Sequence, residues 1–421
     1  MAVYKVSRRA RSKQNVFGDR SEPVAVHSGA AADSRHSWLV ATVGAFAMVF
    51  TFGTPLSYGI FRDPFSEAFG ISPVALSTVF SVMLFAFFIG SGLIGVLGVR
   101  LPARGLLLAC AATTGLTAPA LYVVDSYLGL LVVFGLLGVA LGTAFVVVAS
   151  VVPRWFDKRR GAATGLIFVG NGLGLFIFPP LWQLALDAYS VEQAFVLIIG
   201  STAAAFLLAG LVCKRPDWVD QSTESVREMI AWTAGLAGSR QFQYLFVGMG
   251  LAFAWYHLLA AFAVDLFSAR GLSAVGASTA FGLIGGVSIV SRIASGYVAD
   301  RIGSRRAFLF ALGGSAVGIA LLVVPLLSAV GVGIVLIGLG LGGCATLYIP
   351  LLLEVYPPQK DSAIVGVFNI SAGIGSLAMP PLGTASIAYT DGYTAAIVLT
   401  CAMTLGGFWL VVAGTNPGQS G

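Results

Sequence analysis

The chain has 421 residues, of which 57% are hydrophobic and only 10% charged, where soluble domains carry about 25% charged residues. That balance excludes a soluble enzyme or binding module and leaves an integral membrane protein. The formal charge of +6 would suit a nucleic-acid surface only if the basic residues shared one exposed face, and they do not. Residues 1–37 form a polar, basic stretch that does not end in a short apolar run with a cleavage site, so we expect a cytoplasmic tail and no signal peptide. Twelve apolar segments follow, at 38–61, 73–99, 105–124, 127–152, 161–186, 193–213, 242–264, 274–299, 306–328, 330–353, 362–388 and 393–413. Each is long enough to cross ~30 Å of hydrocarbon as a helix.

The interval 214–240 divides the segments into an N-terminal bundle over 38–213 and a C-terminal bundle over 241–413, with 414–421 as a second tail. Its sequence "SVREMIAWTAGL" is amphipathic and suits the membrane surface. All 24 lysines and arginines except Arg62, Arg270 and Arg292 fall on one side if the spans alternate. The positive-inside rule then places both termini in the cytoplasm. The net charge belongs to that inner face, and no nucleic-acid partner is implied.

The two halves share a pattern. The loop after the eighth segment reads Gly296-x-x-x-Asp300-Arg301-x-Gly303-x-Arg305, and the loop after the second reads Gly95-x-x-x-Val99-Arg100-x-Pro102-x-Arg104. Pro179-Pro180 and Pro380-Pro381 also occupy matching segments, the fifth and the eleventh. Such repeats are expected of a carrier whose halves rock about a site near the midplane. The expected fold is therefore an all-α membrane protein of twelve transmembrane helices in two six-helix repeats.

Arg292 lies inside the eighth segment, about seven residues from its inner end. A charge at that depth costs at least ~2.5 kcal/mol and usually faces a cavity. With no acidic residue at comparable depth, an anion from solution is its natural partner, and a guanidinium fork binds a carboxylate through two parallel bonds. The same residue would also serve as a snorkelling anchor that supports the following loop. His257, in the seventh segment, suits substrate binding or proton carriage, or a bond to a neighbouring carbonyl. Tyr58, Asn171, Tyr256, Ser288, Tyr348 and Asn369 are candidates for the cavity wall, each also readable as an interhelical bond or interfacial aromatic. Asp300, Arg301, Arg305, Arg154 and Glu354, at inner helix ends, are candidate gating charges, or charges placed there by topology alone.

The four cysteines lack metal-ligand spacing, and no nucleophile-base pair is present, so neither a metal, a cofactor nor an enzyme activity is expected. "GNGLG" and "GLGLGG" lack the lysine of a phosphate loop, so transport would not be ATP-driven.

These features together resemble the major facilitator superfamily, over nearly the whole chain after residue 37. Within it, "YGIFRDPFSEAFGISPVALSTVFS", "RWFDKRRGAATGLIFVGNGLG" and "YHLLAAFAVDLFSARGLS" resemble the monocarboxylate transporter and oxalate/formate antiporter group. The resemblance implies that Arg292 holds the substrate carboxylate and favours Tyr348 as a wall. The sequence departs from the group by carrying Ser288 where animal members have an Asp, by lacking a lysine near Pro55, and by offering Asn369 and Ser371 where oxalate antiporters have a lysine. The function expected is secondary transport of small monocarboxylates with a proton, by alternating access, in a monomer of the plasma membrane. The rivals are an exporter of drug-like amphipathic compounds and a transporter-like receptor that does not transport. A drug exporter would be expected to bury an acidic residue.

Overall fold

The computed structural model describes residues 32–97, 101–216, 226–356 and 361–416. Most of the basic tail and the Val99-Arg100 part of the repeated loop lie outside the described residues. Fifteen α-helices account for nearly all of the rest, and no strand occurs among the described residues. In chain order they are α1 (Arg35–Leu56), α2 (Tyr58–Phe69), α3 (Pro73–Leu97), α4 (Ala103–Thr117), α5 (Tyr127–Val151), α6 (Arg160–Ala188), α7 (Val191–Val212) and α8 (Val226–Leu236) in the first part of the chain. The second part holds α9 (Arg240–Ala260), α10 (Ala263–Ala269), α11 (Ala274–Ile302), α12 (Ser304–Leu321), α13 (Leu327–Val355), α14 (Asp361–Thr390) and α15 (Thr394–Gly414).

Serine side chains start several of them by accepting the otherwise unpaired N–H groups of the first turn. Ser34 and Ser37 form a reciprocal capping box at α1, as Ser190 and Gln193 do at α7. Ser126, Ser239 and Ser273 cap α5, α9 and α11.

Among the described residues, eleven helical stretches are long and apolar enough to cross a membrane. The twelfth expected segment is α12, which at 18 residues is short and opens on Arg305 and Arg306. Those two arginines lower its mean hydropathy below that of its neighbours, and of its expected C-terminal part residues 322–326 are instead the turn into α13, which begins at Leu327. The amphipathic stretch of the central interval forms the separate helix α8.

Packing shows the repeat more clearly than the sequence does. In the first half α3 packs on α5, α1 on α6, and α4 on α7 and α5; in the second half α11 packs on α13, α9 on α14, and α12 on α15 and α13. Counting spans, these are the same pairs, second with fourth, first with fifth and third with sixth. The first and seventh spans are also broken at the same place, where α1 passes into α2 at Ser57 and α9 into α10 at Ala261-Phe262. Between halves, α3 meets α14, α6 meets α11, and α2 meets α10.

The seam between α6 and α11 is tight on the side away from the termini. A Cβ on Gly285 would stand 2.3 Å from Leu175 Cβ and 2.6 Å from the Leu175 carbonyl carbon, so only glycine allows this approach. The apolar core accordingly runs through both halves on that side, with Phe61, Phe65, Phe134, Trp182, Trp255 and Phe267 among its fully buried side chains.

Candidate functional site

A cavity lies between the two halves. It is lined by α1, α3, α5 and α6 from the first half and by α9, α11, α13 and α14 from the second. Rings of Phe52, Phe88, Phe145, Phe168, Phe253 and Tyr348 make its walls. Tyr348 meets Phe253 edge to face at 5.2 Å, and Phe52 meets both Phe87 and Phe145 in the same way. These contacts fix ring orientations and give a rigid apolar surround.

Arg292 enters this cavity from the middle of α11. It is the only charged side chain that lines the cavity among the described residues. Its Nε is buried and has no hydrogen-bond partner there. Tyr256 stands nearby with a buried hydroxyl that is also unpartnered. A buried guanidinium N–H without an acceptor costs about 1–3 kcal/mol or more, since the group is charged. An incoming carboxylate would supply the missing acceptor.

The remaining polar groups are partly committed. His257 is 3% exposed, and its Nδ1 lies 2.7 Å from Ser376 Oγ on α14. That bond orients the ring and leaves Nε2 for other partners. Asn171 Oδ1 accepts a hydrogen bond from Thr51 Oγ1 at 3.2 Å, which ties α6 to α1. Asn369 Nδ2 donates to Ser91 Oγ at 3.3 Å, from one half of the protein to the other.

A second cavity shares Ser91, Phe145, Phe168, Tyr348 and Asn369 with the first. It extends to Arg154 and Arg215 at the termini side. The Ser91–Asn369 bond therefore spans the neck between the two chambers. Burial and then the neighbouring charge of Arg154 hold the Arg215 guanidinium below its ordinary range.

Six of the eight binding residues expected from sequence come together around this cavity: Arg292, His257, Tyr348, Asn369, Asn171 and Tyr256. Two do not. Ser288 lies in the seam of α11 with α13, its hydroxyl donating to Gly285 O at 2.7 Å and its backbone against Gly342. Tyr58 lies beyond the break in the first span, stacked on Phe80 at 4.4 Å. Sequence reasoning missed Ser91 and the phenylalanine walls, because in a lipid-facing helix a cavity phenylalanine looks like any other.

The expected gating charges sit at the termini side with local partners. Arg305 donates to Thr415 Oγ1 at 2.6 Å and Asn416 Oδ1 at 2.8 Å at the end of α15. Glu354 Oε1 accepts from Ser304 N at 3.0 Å and so caps α12. Arg301 packs over the Tyr297 ring, 4.1 Å from its centroid, and bonds its hydroxyl. Asp300 is exposed. The bonds of Arg301, Arg305 and Glu354 all stay within the second half.

One charged pair was not expected. Arg62, which the sequence places among the charges outside the spans, is 9% exposed and lies with Nη2 2.7 Å from Asp265 Oδ2 of the other half.

Comparison with known proteins agrees with this architecture. The profile of the Major Facilitator Superfamily matches residues 38–380 and 244–421. The chain belongs to the Major Facilitator Superfamily. It is 26% identical over 411 residues to monocarboxylate transporter 13 of Rattus norvegicus, covering 92% of this chain and 91% of that protein. It is 27% identical over 375 residues to the MFS-type transporter pynF of Aspergillus niger, covering 86% and 83% respectively. Among solved structures, a mutant of the nucleoside transporter NupG superposes with a TM-score of 0.71 at 12% identity, over 90% of this chain and all of that one. A bacterial homologue of the lysosomal transporter Spinster, crystallised inward-facing and unoccupied, gives 0.64 at 13% identity over 90% and 94%. At those identities the solved structures speak for the fold alone. The chain is thus a multi-pass membrane transporter of this superfamily, related in sequence to the monocarboxylate transporters.

Proposed function

We propose that this protein is a secondary active carrier of monocarboxylates that moves its substrate together with a proton by alternating access. Both termini lie in the cytoplasm, and the protein works as a monomer in the plasma membrane. The observation that carries the reading is Arg292, whose buried Nε is unpaired in a cavity that no carboxylate side chain lines among the described residues. Its fork binds the substrate carboxylate through charge-assisted hydrogen bonds, and the phenylalanine walls take the carbon skeleton. Asn171, Asn369 and the Nε2 of His257 supply the remaining polar contacts. A single cation suits one carboxylate; a dicarboxylate would bring a second charge into an apolar wall at high desolvation cost.

Benzoate and phenylpyruvate, beside the short-chain acids, test how bulky a carbon skeleton the phenylalanine walls admit. The lack of an acidic group in the cavity disfavours cationic drugs as cargo. The passage to Arg154 and Arg215 provides the exit to the cytoplasm.

The test is uptake of radiolabelled acetate, lactate, pyruvate, succinate, benzoate and phenylpyruvate into proteoliposomes, acid outside, with wild type and Arg292→Gln. Accumulation of monocarboxylates by the wild type alone is expected. Equal uptake of succinate, or normal uptake by a folded Arg292→Gln protein, would overturn the reading.

A further inference from the structure

Away from the cavity, the short helices α2 and α10 follow the first and seventh spans past their breaks. These helices occupy the same place in the two repeats, and each contributes one member of a charged pair. Arg62 Nη2 lies 2.7 Å from Asp265 Oδ2, and Arg62 Nη1 donates to Ala261 O at 3.3 Å, so one side chain of the first half holds both the carboxylate and the backbone of the second. The backbones are close as well. A Cβ on Gly59 would come 2.7 Å from Ala260 O, which only a glycine avoids. The pair therefore bridges the two halves where α2 meets α10, on the side away from the termini.

We propose that Asp265 is a proton-binding site of this carrier and that its pairing with Arg62 makes the outer door acid-sensitive. This rests on the carrier reading only for what the proton drives. Asp265 lies outside the spanning helices and is largely buried, and Oδ2 has no partner other than Arg62 among the described residues. The groups that face it are Arg62, Asp63, Tyr58 and Tyr393, from α2 and from the start of α15. The two tyrosines bring no charge at working pH.

Burial outweighs the attraction of Arg62, and with the nearby charge of Asp63 it pushes the Asp265 carboxyl up to about 6. Against the burial that lowers it, Asp265 and Asp63 hold Arg62 above the ordinary arginine range, so Arg62 stays charged. When Asp265 takes the proton, Arg62 keeps Asp63 Oδ1 at 2.8 Å and the Ala261 carbonyl. Neutralising the carboxyl therefore removes the buried negative charge without stranding the cation.

The sign follows from linkage. With the door open, Asp265 meets water and has an ordinary carboxylate pKa of about 3.9; with it closed, its pKa is higher. The closed form binds the proton more tightly, so protonation favours closure, fully below the open-state value and not at all well above 6. Between pH 7 and pH 5 the odds of closure rise about tenfold. A proton from the acidic side thus loads at Asp265 and closes the door, the order that proton-coupled import needs.

The experiment is pH-difference infrared spectroscopy of the full-length protein in lipid nanodiscs, which reads the protonated carboxyl band directly. A band with a midpoint near 6 is expected in the wild type, absent in Asp265→Asn and moved to higher pH in Arg62→Gln. A band that persists unchanged in Asp265→Asn overturns the proposal. If Asp265→Asn does not fold, Arg62→Gln decides, and an unmoved midpoint overturns it. Arg292→Gln should keep the band while losing carboxylate uptake, so failure of the substrate reading and failure of this one give different results.

Discussion

The seam between α6 and α11 offers a steric test of how the two halves move. Gly285→Leu adds a Cβ at 2.3 Å from Leu175 Cβ, with Leu175 C at 2.6 Å and Phe176 N at 2.8 Å. Two of those three neighbours are backbone, so no rotamer change relieves the clash. To bring the first contact out to ~3.5 Å, the usual separation of carbon atoms in contact, the helices must part by about 1 Å or more. Overpacking of this kind costs about 1–3 kcal/mol, and it is charged only to the conformation in which this seam is closed. At about 2 kcal/mol the closed-to-open ratio falls roughly thirtyfold. Spin labels at the exposed positions Glu67 on α2 and Ser268 on α10 report the opening by pulsed dipolar spectroscopy. The mutant should show a longer distance population on the side away from the termini and much slower net uptake, with the protein still folded. An unchanged distance distribution together with normal transport would refute the idea that this seam closes and opens in the cycle.

Other outcomes follow from local contacts. Asn369→Ala removes the bond to Ser91 across the neck, worth about 1 kcal/mol; KM should rise several-fold, and a loss of transport beyond a hundredfold would mean that Asn369 does more than line the neck. Glu354→Ala uncaps α12 at Ser304 and should lower stability by about 1 kcal/mol, measured by thermal unfolding in detergent, with transport kinetics unaltered. Asp33 accepts from the backbone N–H groups of Lys158, Asp157 and Arg159, and its carboxyl is held below its ordinary value chiefly by the first of these. Because the folded pKa is depressed, the stabilisation is present above the ordinary value of 3.8 and fades as pH falls through the folded one. Asp33→Ala should therefore unfold more easily than wild type at pH 7 and no more easily in strong acid; a gap that persists in acid would contradict this.

The fold was legible in the sequence because spans in lipid announce themselves by length and lack of charge. Arg292 was legible for the same reason, since one charge within an apolar run has to be explained. The walls of the cavity were not. A membrane helix is apolar on its lipid face and on its packing face alike, so Phe52, Phe88 and Phe145 carry no periodic signature that sets them apart from the lipid-facing Phe46 or Phe310. Ser288 and Tyr58 show the same loss of signal: a polar residue in a span can face the cavity or a neighbouring helix, and here Ser288 bonds its own helix in a tight seam while Tyr58 falls past a break at Ser57, which Pro55 and Gly59 flank. Arg62 and Asp265 looked like loop charges, because their pairing depends on two breaks at equivalent places in the repeats. Only the packing of α2 on α10 brings them together.

The measurement that bears most directly on the substrate role of Arg292 is a comparison of an acid with its neutral amide, benzoate and benzamide, as inhibitors of uptake of the best labelled acid. Charge-assisted hydrogen bonds are worth about 1.5–3 kcal/mol. The wild type should therefore bind benzoate at least about tenfold more tightly than benzamide, and Arg292→Gln, tested through direct binding to the purified protein, should not distinguish the two. If the wild type shows no preference for the acid, or if Arg292→Gln keeps it, then the guanidinium in the cavity is not what holds the carboxylate.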